Sequence, residues 1–224
     1  LTLRNISVDN LDQTKNFISF SIDNSLIKNI SGNNFNFFID GSISNSSFFN
    51  IYGENMVGGF NSGFGMDNVQ FNTINLTSGI NHGIYITGTS SEHVLIENSY
   101  FSNFSDGIVI FPGADNITIR NSLFENNSFG IRFDVTNSFN PVTNAYVYNN
   151  TIRYGYYGLN LVGNVDDSYF YNNIIYDNQN DFVYLGTVSS DNSYIYNNYF
   201  GNFSSIGFSS PENFNSNFTY LGQG

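Results

Sequence analysis

Cysteine and tryptophan are absent from all 224 residues, and proline occurs only three times. Without cysteine the chain has no disulfide, no thiolate metal site and no thiol nucleophile, although the compartment is left open by that fact. Cations are scarce as well: six lysines and arginines stand against 18 acidic residues, for a formal charge of −12. Nucleic-acid affinity comes largely from clustered cations that displace counterions, so nucleic acid is not an expected partner. No apolar run approaches the roughly 18 residues of a membrane-spanning helix, and no membrane span is expected. The chain opens on Leu1 with no basic-then-apolar leader, which reads as a processed protein or a piece of a longer one.

What the chain does contain is aromatic mass. Phenylalanine (24) and tyrosine (16) raise the aromatic share to 18% while charged residues fall to 11%, the reverse of a disordered chain. Asparagine, isoleucine, phenylalanine and tyrosine are all favoured by AT-rich coding, but lysine, favoured by the same bias, is confined to Lys15 and Lys28. The lysine-poor surface is therefore a property of the protein, kept soluble by neutral amides and hydroxyls. A prokaryotic source with AT-rich coding, archaeal or bacterial, is the expectation.

One phrase recurs along the chain: an alternating apolar strand, an asparagine, a short polar link, then glycine leading into a second apolar strand. Its first half reads Val94–Asn98, Ile117–Asn121, Ala145–Asn149, Ser168–Asn172 and Ser193–Asn197, with the asparagines 23, 28, 23 and 25 residues apart. Its second half keeps the same phase in Gly83-Ile84-Tyr85-Ile86, Gly107-Ile108-Val109-Ile110, Gly130-Ile131-Arg132-Phe133, Gly158-Leu159-Asn160-Leu161 and a degenerate copy at Asp181–Leu185. Fainter copies of the corner asparagine are read at Asn5, Asn29, Asn45 and Asn72. Period-two alternation marks strands with one buried face. A strand pair of this kind cannot bury its apolar face alone, whereas a stack of repeats can. Ile96, Ile119, Val147, Phe170 and Ile195 then form one inward column, and Ile84, Ile108, Ile131 and Leu159 another. Asparagine suits the bend because it tolerates left-handed backbone and carries a donor and an acceptor on one planar group. Asn98, Asn121, Asn149, Asn172 and Asn197 are accordingly expected to form a hydrogen-bonded amide ladder, which would make Asn149 a poor glycosylation acceptor.

With those phrases in place, the sequence resembles the right-handed parallel β-helix repeat proteins, the superfamily of pectate-lyase-like enzymes, phage tailspikes and microbial surface proteins. The resemblance covers nearly the whole chain and is best over 69–208. It implies an all-β, right-handed parallel β-helix of about eight to nine rungs, in a single domain over residues 1–224 that continues either into a longer chain or into neighbouring subunits. It does not choose a function, because such folds include lyases, hydrolases, epimerases, adhesins and scaffolds. Extra residues are expected in loops at Phe133–Asn144, around Asn140-Pro141, and at Gly53–Asp67, with Gly58, Gly59 and Gly63.

A polysaccharide-cleaving member needs paired carboxylates, or an acidic calcium cluster beside a basic proton acceptor. Polygalacturonase-like members carry clustered aspartates followed by Gly-His-Gly; here Asp166-Asp167 and Asn81-His82-Gly83 stand in the opposite order, several rungs apart. His82 aligns with Asp106, Phe129 and Tyr157 and is expected to be a solvent-facing turn residue, and His93 to lie in a polar loop. Arg132 and Asp134 alternate outward from one strand, with Arg120 and Arg153 near in repeat terms. That pattern fits either an ordinary ion pair or a site for a carboxylated sugar. Asp115-Asn116, Asp166-Asp167 and Asp191-Asn192 are scattered turn pairs that would at most hold calcium weakly. No phosphate loop, zinc spacing or nucleophile elbow is present, so no catalytic residue, metal or cofactor is assigned and the balance leans away from an enzyme.

The most informative surface feature is aromatic. Tyr146, Tyr169 and Tyr194 occupy one outward column and Tyr148, Tyr171 and Tyr196 the next. Such a patch either contacts sugars or another protein, or stabilises the strands by like-on-like stacking. Asn-x-Ser/Thr sequons fall at Asn5, Asn29, Asn45, Asn75, Asn103, Asn116, Asn126, Asn202 and Asn217, besides Asn149. No capping helix is visible at either end, which suggests end-to-end or lateral self-assembly into a filament or layer. Together these features point to an extracellular structural or adhesive module, an adhesin-like glycoprotein of a microbial cell surface with itself, glycans or other surface proteins as partners. The alternatives are a polysaccharide lyase or hydrolase with its site near Arg132, Asp134 and Asp166-Asp167, or a glycan-binding tailspike-like protein.

Overall fold

The computed structural model describes residues 2–9, 21–33, 36–39, 42–55, 58–62, 64–77, 79, 81–87, 91–136, 140–185, 193–201, 207–208 and 215–217. Every strand pairing among them is parallel, and each strand pairs with its counterpart one repeat away. An 18-stranded sheet forms two faces of each turn and an eight-stranded sheet closes the third. Eight successive strands in the smaller sheet are separated by seven full turns, slightly fewer than the eight to nine rungs expected.

The inward columns extend beyond the clearest repeats. Ile27, Phe48 and Phe71 stack in register on Ile96, Ile119, Val147, Phe170 and Ile195, all buried. Leu76, Phe101, Phe124, Ile152, Ile175 and Phe200 line the second face, and Phe60, Ile84, Ile108, Ile131, Leu159 and Phe182 the third. At roughly 1.5–3 kcal/mol per large apolar side chain buried, three such columns supply most of the favourable term in each turn. Ring stacks bind successive turns further, as in Phe48–Phe71 with centroids 5.0 Å apart and Phe101–Phe124 at 5.5 Å.

The glycine in the second position of four successive third-face strands is there for space. A Cβ at Gly107 would lie 2.6 Å from the carbonyl oxygen of Gly130 and 2.7 Å from the ring of Phe124. The same collision with the next turn repeats at Gly83, Gly130 and Gly158.

Every non-glycine residue with positive φ among the described residues falls at one of three corners. The corner after the first face holds Asn5, Asn29, Asn50, Thr73, Asn98, Asn121, Asn149, Asn172 and Asn197. The structure therefore corrects two of the fainter copies. Asn45 belongs to a different corner, with Asn24, Asn68, His93, Asn116, Asn144 and Asp167, and Asn72 is the last residue of its strand segment before the bend at Thr73.

The amide ladder is corrected as well, because it runs one residue later than expected. Asn98, Asn121, Asn149, Asn172 and Asn197 supply the left-handed corner and are exposed, while the following residues are buried and do the bonding. The backbone N–H of Asn150 and its Nδ2 both donate to Asn173 Oδ1 (3.0 and 3.1 Å), and Asn173 repeats both bonds to Asn198 Oδ1 (2.9 Å each). Each Nδ2 also donates to an interior carbonyl of the preceding turn, Ile119, Val147 and Phe170 in order. In the earlier turns Ser99 and Ser122 hold this position, with Ser122 Oγ accepting from the N–H of Ser99. The two expected loops also change character: Gly58–Ser62 is a third-face strand, and around Asn140-Pro141 the strand Phe129–Val135 continues past Phe133 and the chain re-enters the sheet at Val142–Thr143.

Candidate functional site

The six tyrosines stand where the repeat places them, on the outer side of the first face. Tyr146–Tyr169–Tyr194 stack with centroids 5.3 and 5.2 Å apart, and Tyr148–Tyr171–Tyr196 at 4.8 and 5.1 Å with rings tilted by 6° and 2°. All six are half-buried. Face-to-face contact along the axis uses the ring faces that would otherwise lie against a sugar, and leaves mainly edges and hydroxyls outward. Burial and the flanking Tyr148 and Tyr196 push the Tyr171 phenol above its ordinary value.

The tyrosine column continues into a charged one. Arg120 lies one turn before Tyr148 and donates through Nη1 to its hydroxyl (2.9 Å). Its Nε and Nη2 donate to Glu97 Oε2 (2.9 and 2.6 Å), one turn earlier again. Gln70 and Asn72 donate to the other oxygen, Glu97 Oε1. Burial alone would push the Glu97 carboxyl up, but hydrogen bonds from Arg120, Gln70 and Asn72 hold it below its ordinary value. A second set on the next face repeats the scheme: Arg153 donates to Glu125 (2.9 Å) and to the Tyr176 hydroxyl (2.9 Å). Sequence reading missed both sets, although their separations of 23 and 28 residues equal the rung spacing and would have revealed them. Arg120 and Arg153 thus sit on the larger sheet, away from Arg132 on the smaller one.

Arg132 and Asp134 do pair, at 2.5 Å, and His82 is corrected from a solvent-facing turn residue to a partner in the same patch. His82 Nδ1 lies 2.8 Å from Oδ2 of the buried Asp106, and Arg132 Nη1 lies 3.7 Å from Asp106 Oδ1. Within this patch Asp106 Oδ1, Arg132 Nε and Asn160 Oδ1 are buried and accept or donate no hydrogen bond among the described residues. Tyr85 packs on the His82 ring at 5.1 Å, and burial followed by the charge of Asp134 raises its pKa. Asp166 and Asp167 are not part of this patch; Asp166 continues the column of Asp115 and Thr143 on the larger sheet, and Asp167 the corner column beside it.

That column is an acidic edge. Asp23, Ser44, Asp67, Glu92, Asp115, Thr143 and Asp166 follow in register, one per turn. Burial would raise Asp115, but hydrogen bonds from Thr143 and Asn144 keep it below its ordinary value. His93, expected in a polar loop, lies within the strand Glu92–Glu97 at a corner with φ 55°. Asp191 and Asn192 lie outside the described residues.

Of the sequons, Asn5, Asn29, Asn45, Asn103 and Asn126 are exposed corner residues, Asn116 is a half-buried corner residue, and Asn75 is half-buried within a strand. Asn149 is exposed at its corner, so the ladder does not shield it. Asn202 lies outside the described residues, and the side chain of Asn217 is not among those described. No helix among the described residues is long and apolar enough to cross a membrane.

A search of curated proteins finds no match to this chain. A family described as right handed beta helix region matches residues 82–221, more than half of the sequence. With parallel rungs in register through the described residues of that stretch, the chain belongs to the right-handed β-helix family.

Proposed function

We propose that the chain is a structural or adhesive β-helix module of a microbial cell surface. One observation carries the reading: the large outward side chains are spent on their own neighbours one turn away. Tyrosine faces stack on tyrosine faces, and Arg120 and Arg153 are each held between a glutamate and a tyrosine. Groups so committed stiffen a rod, whereas a catalytic group needs a free electron pair or proton aimed at a substrate. Exposed corner sequons and a lysine-poor, amide-rich surface suit an extracellular, glycosylated setting. Partners of such a module are other copies of itself, end to end or side by side, or surface glycans and proteins approached through the tyrosine edges.

A second reading, a carbohydrate-active enzyme, draws on the buried Asp106 that orients His82 beside Arg132. The two readings separate on incubation with a panel of uronic-acid polysaccharides, followed by absorbance of unsaturated products and a reducing-end assay. The structural module yields no signal on any of them. Turnover that is lost in His82→Gln would refute it. Negative-stain images at high concentration test assembly: filaments or sheets are expected, and monodisperse particles throughout would count against self-association.

A further inference from the structure

Three donors of two chemical kinds meet on the acidic edge, apart from the tyrosine and arginine columns. Asp67 and Glu92 face outward from adjacent turns in direct register, and His93 follows Glu92 at the corner. One oxygen of each carboxylate and a ring nitrogen of His93 all lie within 4.8 Å of one another, and His93 Nδ1 is 3.8 Å from Asp67 Oδ1. We propose that Asp67, Glu92 and His93 bind a divalent transition-metal ion of the zinc, cobalt or nickel kind.

The donor set favours that class, because an imidazole beside carboxylates suits these ions, whereas calcium and magnesium prefer oxygen alone. Metal–ligand bonds of about 2.0–2.2 Å place neighbouring ligands roughly 3–3.5 Å apart. Donors that lie up to 4.8 Å apart therefore need to close by up to about 1.5 Å, within reach of side chains that are all exposed on a fixed parallel ladder. His93 is also a departure from its own column, in which the adjacent turns carry Asn68 and Asn116 and the others Asn24, Asn45, Asn144 and Asp167. The departure coincides with Asp67, Glu92 and Asp115 in three consecutive turns, where negative potential is concentrated. His93 also lines a shallow groove of about 320 Å³ that runs past Leu95 and Thr118 to Arg120 and Tyr148, so a bound ion would keep open positions toward it.

Zinc, cobalt and calcium are titrated separately into the full chain by calorimetry at neutral pH. One equivalent of zinc or cobalt is expected to bind, with calcium at least about ten-fold weaker. His93→Asn installs the residue of the neighbouring turns, so it retains the fold and its metal-free melting temperature, and it should weaken zinc by more than about ten-fold, the least that loss of even an outer-shell partner costs. Glu92→Gln should weaken it as well. The chain has only two histidines, so cobalt should shift the imidazole C–H proton resonances of one of them, His93, and leave those of His82 unmoved. Unchanged zinc affinity in His93→Asn, or equal affinity for calcium, would overturn the site and leave only diffuse attraction of cations to an acidic edge.

Discussion

Replacing Asn173 by alanine should cost far more than replacing its exposed neighbour Asn172, although both belong to the same doubled motif. Asn173 Nδ2 donates to the Val147 carbonyl and to Asn198 Oδ1, and its Oδ1 accepts from the backbone and side-chain N–H groups of Asn150. In Asn173→Ala, Asn198 Oδ1 keeps the backbone N–H of residue 173 and Asn150 Nδ2 keeps the Ile119 carbonyl. The Val147 carbonyl and the Asn150 N–H each lose the amide that served them. At about 1–3 kcal/mol per buried group left unsatisfied, the loss is about 4 kcal/mol. Asn172 is exposed with φ 54°, so Asn172→Ala gives up chiefly asparagine's ease in left-handed backbone, about 1 kcal/mol. With urea slopes of roughly 2–3 kcal/mol per molar, the midpoint followed by far-UV circular dichroism should fall by about 1.5 M for Asn173→Ala and by less than about 0.5 M for Asn172→Ala. Hydrogen exchange at the Asn150 amide should accelerate only in the first variant. Equal shifts, or a larger one for Asn172, would refute the assignment of the ladder to the second asparagine.

Three further outcomes follow from the same geometry. Because the Glu97 carboxyl is held below its ordinary value of 4.5, its contribution to stability is present above that pH and fades as pH falls through the folded value; Glu97→Gln should therefore flatten the urea midpoint's dependence on pH below about 4.5. Gly107→Ala brings a Cβ to 2.6 Å from the Gly130 carbonyl oxygen, and thermal melting should show a loss of at least about 2 kcal/mol, within the range of strained overpacking. Tyr171→Leu removes two ring stacks, at 4.8 and 5.1 Å, for about 1–3 kcal/mol, whereas Tyr171→Phe keeps both and should melt within a degree or two of the parent.

The inward columns were legible in the sequence because an apolar alternation repeated in phase has only one way to bury itself. The doubled asparagines were legible as a pair but not in their division of labour. Asn172 and Asn173 share composition and differ only in backbone: the one at positive φ turns its side chain out, and the next turns inward. Thr73 was invisible as a corner residue because β-branching argues against left-handed backbone, yet its Oγ1 donates to Asn72 Oδ1 beside it. The pairing of His82 with Asp106 was available from alignment of the repeats, which put the two residues on adjacent turns. What alignment leaves open is which way each side chain turns: Asp106 is buried, and the imidazole of His82 lies against it and not out in solvent.

In a stack of this kind, each outward residue has two axial neighbours chosen by the repeat and only then a solvent face. A residue like those above and below it adds stiffness. One unlike them has an axial partner that cannot answer it in kind. Arg120 marks where the tyrosine column gives way to charge, His93 where the corner asparagines give way to imidazole, and Asp106 where a buried carboxylate lies one turn from both Phe129 and His82. Arg120 is answered by Glu97 and Tyr148 and is thereby closed. His93 is exposed between carboxylates, and Asp106 retains an oxygen that accepts no hydrogen bond among the described residues. Chemistry beyond scaffolding should therefore concentrate at the breaks left open, His93 and Asp106. Substitutions at the exposed His93 should leave the melting temperature less changed than substitutions within the ladders, while moving whatever the surface binds.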